Sequence, residues 1–163
     1  MKYIAIVMLC VLLFSGCKSA GKLNSESQTT PGESIVVTVC SLSASIYYGN
    51  DNADGFECIS VPVEELNTAT LIQELISAGV LSDQTKVLNE ELIGTCLHLD
   101  LNEAFRTQLC STGTSGEYII IGSLVNTFLD NYMDTVHSIY ITVNGDMLES
   151  GHVIYDFELT RYE

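Results

Sequence analysis

Between Thr114 and Tyr132 the chain carries a helical stripe too wide for an ordinary surface helix. Tyr118, Ile121, Val125, Phe128, Leu129 and Tyr132 recur at helical spacing, and Ile119, Ile120 and Leu124 widen the apolar arc. Such a segment predicts the central helix of its fold. Thr114-Ser115-Gly116-Glu117 precedes it with the spacing of a capping box. In that motif the Thr114 hydroxyl accepts from the Glu117 amide, while the Glu117 carboxylate returns to the Thr114 amide.

The segments around this helix alternate in character. Ser34 to Tyr48 is rich in Ile, Val, Thr and Tyr. Within it, Cys40, Leu42, Ala44, Ile46 and Tyr48 alternate with Ser41, Ser43 and Ser45, the period of a half-buried strand. The cluster from Gly49 to Gly55 reads as a turn, Phe56 to Val61 as a second strand, and Pro62 as its end. Leu71, Ile72, Leu75 and Ile76 place a helix over Asn67 to Ala78, with Gly79 to stop it. From Leu92 to Leu101 the alternation returns, putting Thr95, Leu97, Leu99 and Leu101 on one face and Cys96, His98 and Asp100 on the other. A polar loop, the central helix and a strand from Ser138 to Val143 follow. Asn144-Gly145 signals a two-residue hairpin, and Val153 to Arg161 reads as a closing strand. This order predicts a two-layer α+β domain over residues 34–163, with two helices packed on one face of a mixed five- to six-stranded sheet.

The N-terminal segment carries a different message. Lys2 precedes a twelve-residue apolar run from Tyr3 to Phe14, short of the roughly 20 residues a membrane-spanning helix needs. It fits the apolar region of a secretory signal peptide, and Phe14-Ser15-Gly16-Cys17 resembles a bacterial lipobox. Residues 1–16 are thus expected to be a lipoprotein signal peptide, and Cys17 the point of lipid attachment. Residues 17–33 are expected to form a flexible tether, being rich in Ser, Thr and Gly, with a mean reach of roughly 20–24 Å. Acyl chains contribute about 0.8 kcal/mol per buried methylene, so two or three would hold the protein stably on a membrane. The expected location is the extracytoplasmic face of the cell membrane.

Charge excludes one class of partner. The 163 residues include 21 acids against 6 Lys and Arg, a formal net charge of -15. So anionic a chain has no footprint for a nucleic-acid backbone.

Motifs for chemistry are sparse. Ser115 lies in Gly-Thr-Ser-Gly-Glu, which lacks the Gly-x-Ser-x-Gly spacing of a nucleophile elbow. Asn50, Asn52, Asp54 and Gly55 match the start of a calcium-binding loop, but the twelfth position is Val61, where a bidentate Glu is required. Cys40, Cys58, Cys96 and Cys110 contain no C-x-x-C pair, and export leaves three disulfide connectivities open to them. A Cys96–Cys110 bridge would close a 15-residue loop, contributing about 3 kcal/mol in the chain-entropy model. His98, His137 and His152 stand apart in sequence. These features call for neither a cofactor nor a metal.

A family resemblance emerges from the ordered set of motifs. Gly113-Thr114-Ser115-Gly116-Glu117 followed by Ser123 to Thr127, including Asn126, resembles the signature of GerMN domains, the sporulation and spore germination modules of Gram-positive bacteria. Ile46-Tyr47-Tyr48, Leu99-Asp100-Leu101 with Glu103-Ala104-Phe105, Tyr140 to Gly145, and Gly151-His152 are similar to further family landmarks in the same order. Gly49, Asn144 and Ile154 depart from the family pattern. The resemblance implies a compact module related to ring-building motifs of envelope assemblies, acting in binding and assembly, with no catalytic residues to carry over. The expected function is a membrane-anchored lipoprotein that binds an envelope partner or assembles with itself. The alternative is a lipoprotein capturing a small molecule or peptidoglycan fragment. A deep pocket lined with aromatics would favour capture, and a shallow, pocket-free surface with an unprotected sheet edge would favour assembly.

Overall fold

A computed structural model describes residues 42–163, which lie within one compact unit, Thr38–Glu163. The elements run β1 (Leu42–Gly49), β2 (Phe56–Val63), α1 (Thr68–Ser77), β3 (Val87–Ile93), β4 (Cys96–Leu101), α2 (Glu103–Cys110), α3 (Thr114–Asn131), β5 (Ser138–Val143), β6 (Asp146–Glu149) and β7 (Ile154–Tyr155). Strands β3-β4-β5-β6-β7 make a mixed five-stranded sheet, while β1 and β2 form a separate antiparallel ribbon. The α+β class and the mixed sheet therefore stand. Two details of the expected arrangement do not: there are three helices among the described residues, and the first two described strands lie outside the main sheet.

The parallel pair β4–β5 fixes the core face of the sheet. Leu97, Leu99 and Leu101 on β4 lie opposite Ile139, Ile141 and Val143 on β5, and all six are buried. The alternate residues carry a polar outer face, where the His98 and Tyr140 rings stack with centroids 5.2 Å apart and Thr142 donates to Asp100 at 2.8 Å. Asp100 also accepts from the Gly145 amide at 2.8 Å. Asn144 and Gly145 both have positive φ, at 54° and 80°, as a two-residue hairpin with this sequence requires.

Leu92 to Leu101 is not one strand. Gly94, with φ of 64°, opens a tight turn that pairs Ile93 with Cys96 and folds β3 back along β4. The segment before the central helix is not a polar loop either. It contains α2, held by Phe105 and Leu109, one turn apart and both fully buried. Burying two such side chains stabilises by roughly 3–6 kcal/mol, enough to dock a helix too short to declare itself by periodicity. Pro62 also lies within β2, not at its end, which the outer strand of a two-stranded ribbon tolerates. The closing segment pairs only at Ile154–Tyr155 and through a bridge between Leu159 and Ile139.

Helix α3 is the hub. Every residue from Ile120 to Leu129 is buried, and the helix touches β1, β2, β5, α1 and α2. Among the described residues the inner edge of β1 has no neighbouring strand, and α3 side chains bond to it. Thr127 Oγ1 accepts from the Tyr47 amide at 3.0 Å. Asn131 accepts from the Ser45 amide at 3.0 Å and donates to the Ser45 carbonyl at 2.7 Å. Gly122 lets the Phe56 ring press onto the helix, since a Cβ there would lie 2.3 Å from Phe56 Cζ. Helix α1 has the expected bounds, with Asn67 as its cap, accepting from the Thr70 amide at 2.9 Å, and Gly79 beyond it at φ of 76°.

Candidate functional site

The residues singled out in the sequence converge on the N-terminal half of α3, though by different contacts from those the sequence suggests. Gly113 is the N-cap and Thr114 the first helical residue, and no side chain caps this end. The Glu117 amide donates to the Gly113 carbonyl at 2.9 Å. No capping box forms, because the Glu117 carboxylate turns inward, where it is only 2% exposed. Its Oε1 accepts from the Ser150 hydroxyl at 2.5 Å and from the Tyr155 hydroxyl at 2.6 Å. Its Oε2 is buried without a hydrogen-bond partner among the described residues. Ser115 is exposed in the first turn of the helix, and Gly116 packs against the Thr112 side chain.

Ser150 links this acid to the Gly151-His152 motif. Its hydroxyl oxygen accepts from the amides of His152 and Val153 at 3.0 and 2.9 Å, while the Ser150 amide donates to the Val153 carbonyl at 2.9 Å. Gly151 and His152 form the exposed tip of that turn. Asn126 lies further along α3 and exchanges two hydrogen bonds with the backbone of Tyr162.

Together these contacts clamp the segment after β6 onto α3 and border a partly open aromatic cavity of about 280 Å³. Glu117, Tyr118, Tyr155, Phe157 and Tyr162 line it. The Tyr118 and Tyr162 rings lie 5.4 Å apart by their centroids, and Tyr155 and Phe157 lie 6.1 Å apart. Burial, followed by the hydrogen bond to Glu117, pushes the Tyr155 phenol well above its ordinary value. Burial does the same to Tyr162, helped by Tyr118 and Glu117. Ser150, Tyr155, Phe157 and Tyr162 are not legible as site residues in the sequence. The one available signal is the alternation of Tyr155 and Phe157 with polar residues.

A second exposed feature is β3. Among the described residues it pairs with β4 along one edge only, and its Leu88, Leu92 and Ile93 side chains are each about half exposed. A register shift between Val87 and Asn89 disturbs its ladder, and Glu90 and Glu91 are exposed on it.

The remaining candidates are scattered. Cys17 and Cys40 lie outside the described residues, as do the proposed signal peptide and tether. Among the described residues Cys58, Cys96 and Cys110 form no disulfide with one another, so the structure does not contain the Cys96–Cys110 bridge. Cys96 is buried on β4, whereas Cys110 is exposed at the end of α2, and burial raises the Cys96 thiol above its usual value. Asn50 and Asp54 brace a hairpin turn: the Asn50 side chain donates to Asp54 at 2.9 Å and accepts from the Asp54 amide at 3.2 Å. Among the described residues no group of His, Cys, Asp and Glu is placed to hold a metal ion.

A family model described as sporulation and spore germination, the Germane domain, matches residues 45–149. The chain belongs to this family. The match runs from β1 to β6 and so covers α3 whole, including Glu117 and Asn126. The same fold occurs in the tandem GerMN domains of the sporulation protein GerM from Bacillus subtilis, with a TM-score of 0.59 at 19% identity over 80% of this chain and 50% of that one. The present chain thus spans about half the length of that tandem structure. The first GerMN domain of the same protein aligns with a TM-score of 0.56 at 14% identity, covering 74% of this chain and 98% of that domain. No curated protein matches the chain. As a GerMN-domain protein it is related to sporulation and germination, in a family not known for enzymatic activity.

Proposed function

We propose that this protein is a lipid-anchored, extracytoplasmic adaptor without catalytic activity, joining an envelope assembly of sporulation or germination by strand addition at β3. The observation that carries the reading is the edge of β3 that no strand covers among the described residues, with its exposed Leu88, Leu92 and Ile93. An unpaired strand edge supplies backbone donors and acceptors to a visiting strand, and exposed side chains give it selectivity. The outer edge of β2 is less suitable, because Pro62 removes a donor from it. Glu90 and Glu91 disfavour a second copy of β3 at the same edge, where like charges would face one another. A partner strand bearing Lys or Arg suits this edge better.

Membrane attachment is part of the proposal and rests on the lipobox-like run ending at Cys17. Capture of a whole peptidoglycan fragment fits less well. The aromatic cavity, at about 280 Å³, lies below the roughly 300–1,000 Å³ of ordinary small-molecule sites.

The test is site-specific photo-crosslinking in native membranes of the source cell, with the crosslinking residue at Leu92 and a control at exposed Met133. A discrete adduct from position 92 only is the expected result. Equal labelling at both positions, or none at 92, rejects strand addition. Radiolabelled palmitate should enter the wild-type chain and not a Cys17→Ser variant, and failure to label the wild type rejects the anchor.

A further inference from the structure

We propose that the aromatic cavity beside α3 receives the ammonium group of a lysine side chain presented by the partner. The inference deepens the partner-binding reading but does not depend on strand pairing at β3.

Three observations carry it. First, Glu117 is a carboxyl group buried in an aromatic site, with one oxygen satisfied twice and the other unpartnered among the described residues. A buried acceptor without a partner is unfavourable, and a cation entering beside it relieves that cost. Second, no cation among the described residues does this. The described ion pairs are Arg106 with Glu103 and Arg161 with Asp130, and neither reaches Glu117. Third, the lining combines this acid with the rings of Tyr118, Tyr155, Phe157 and Tyr162. Aromatic faces carry negative potential, and several of them around a carboxyl group make a cage for an alkylammonium. The chain's excess of acids, with a formal charge of -15, steers a basic partner towards it.

The dimensions favour a single side chain. A cavity of about 280 Å³ with mostly apolar walls accommodates a four-carbon stem as well as the charged tip. Oε2 is closed off from solvent, so the ammonium reaches it only as the stem displaces a wall of the cavity. Phe157, about half exposed at the rim, supplies the ring that covers the stem once it has entered.

The experiment titrates the full chain, solubilised in detergent, with Nα-acetyl-lysine methylamide, reading the tyrosine side-chain resonances by NMR. Parallel arms use the same probe acetylated on its ε-nitrogen, choline, and the Phe157→Ala and Glu117→Gln variants. Saturable shifts at Tyr118, Tyr155 and Tyr162 are expected, with affinity at least tenfold weaker for the acetylated probe and for both variants. Phe157→Ala removes an exposed ring, so it keeps the test decisive should Glu117→Gln fold poorly. Absence of saturable shifts, equal affinity for the acetylated probe, or undiminished binding to Phe157→Ala overturns the proposal. Tighter binding of choline assigns the cavity to a lipid-type headgroup and overturns the lysine assignment. Because these probes are small molecules, failure here leaves the crosslinking result at Leu92 standing on its own.

Discussion

The carboxamide of Asn126 replaces a strand for Tyr162: its Nδ2 donates to the Tyr162 carbonyl at 3.0 Å, and its Oδ1 accepts from the Tyr162 amide at 2.9 Å. Asn126 is 1% exposed, so neither bond competes freely with water. An Asn126→Ala substitution is expected to destabilise the fold by about 2–3 kcal/mol, because it leaves two backbone groups without partners. Urea denaturation checks this. An unchanged midpoint would mean that the C-terminal segment contributes nothing to stability.

Gly122 should tolerate nothing larger. Alanine normally gains about 1 kcal/mol over glycine within a helix. Here its Cβ would lie 2.3 Å from Phe56 Cζ and 3.1 Å from Tyr162 Cβ. Overpacking of this kind costs about 1–3 kcal/mol, so Gly122→Ala is expected to be net destabilising. Combining it with Phe56→Leu should recover part of the loss. Thermal melts of the two single variants and the double variant measure the coupling.

Alkaline pH should destabilise the domain through its buried phenols. Tyr132, Tyr155 and Tyr162 all have folded-state values raised, in each case chiefly by burial. Their stabilising contribution is fully present below the unfolded tyrosine value near pH 10, and is lost as pH rises towards the folded values. Between the unfolded and folded values each such tyrosine adds a slope of up to about 1.4 kcal/mol per pH unit. Stability measured from pH 8 to 11 should stay level and then fall, and Tyr155→Phe should make the fall shallower.

Thiol accessibility distinguishes the cysteines. Cys58 and Cys110 are exposed, whereas Cys96 is buried and its thiol raised above the ordinary value. The thiolate is the reactive form, so the folded protein should alkylate at Cys58 and Cys110 while Cys96 reacts only after denaturation. Peptide mapping after brief labelling shows which. Protection of Cys110 would indicate a bridge or contact that the structure does not contain.

Elements that bury a regular face were readable from the sequence, and those defined by long-range partners were not. The alternation of Leu97, Leu99 and Leu101 marked a strand because one side of β4 faces the core throughout. Asn144-Gly145 announced its turn because both residues take positive φ. Helix α2 was missed because two buried residues, Phe105 and Leu109, do not establish a period. The turn at Gly94 was missed because Leu92 and Ile93, exposed on an edge, continue the apolar pattern of β4 without sharing its burial. Glu117 shows the sharpest limit. Its spacing from Thr114 suggests a local cap, yet its partners, Ser150 and Tyr155, lie more than thirty residues away. No local pattern distinguishes those two outcomes.

Asn126, Thr127 and Asn131 together bind the first ribbon strand and the final residues of the chain to successive turns of one helix. Loosening that helix would release both at once, so the opening of the helix couples them. Amide exchange at Ser45, Tyr47 and Tyr162 should accordingly follow a common rate, set by the opening of a single cooperative unit.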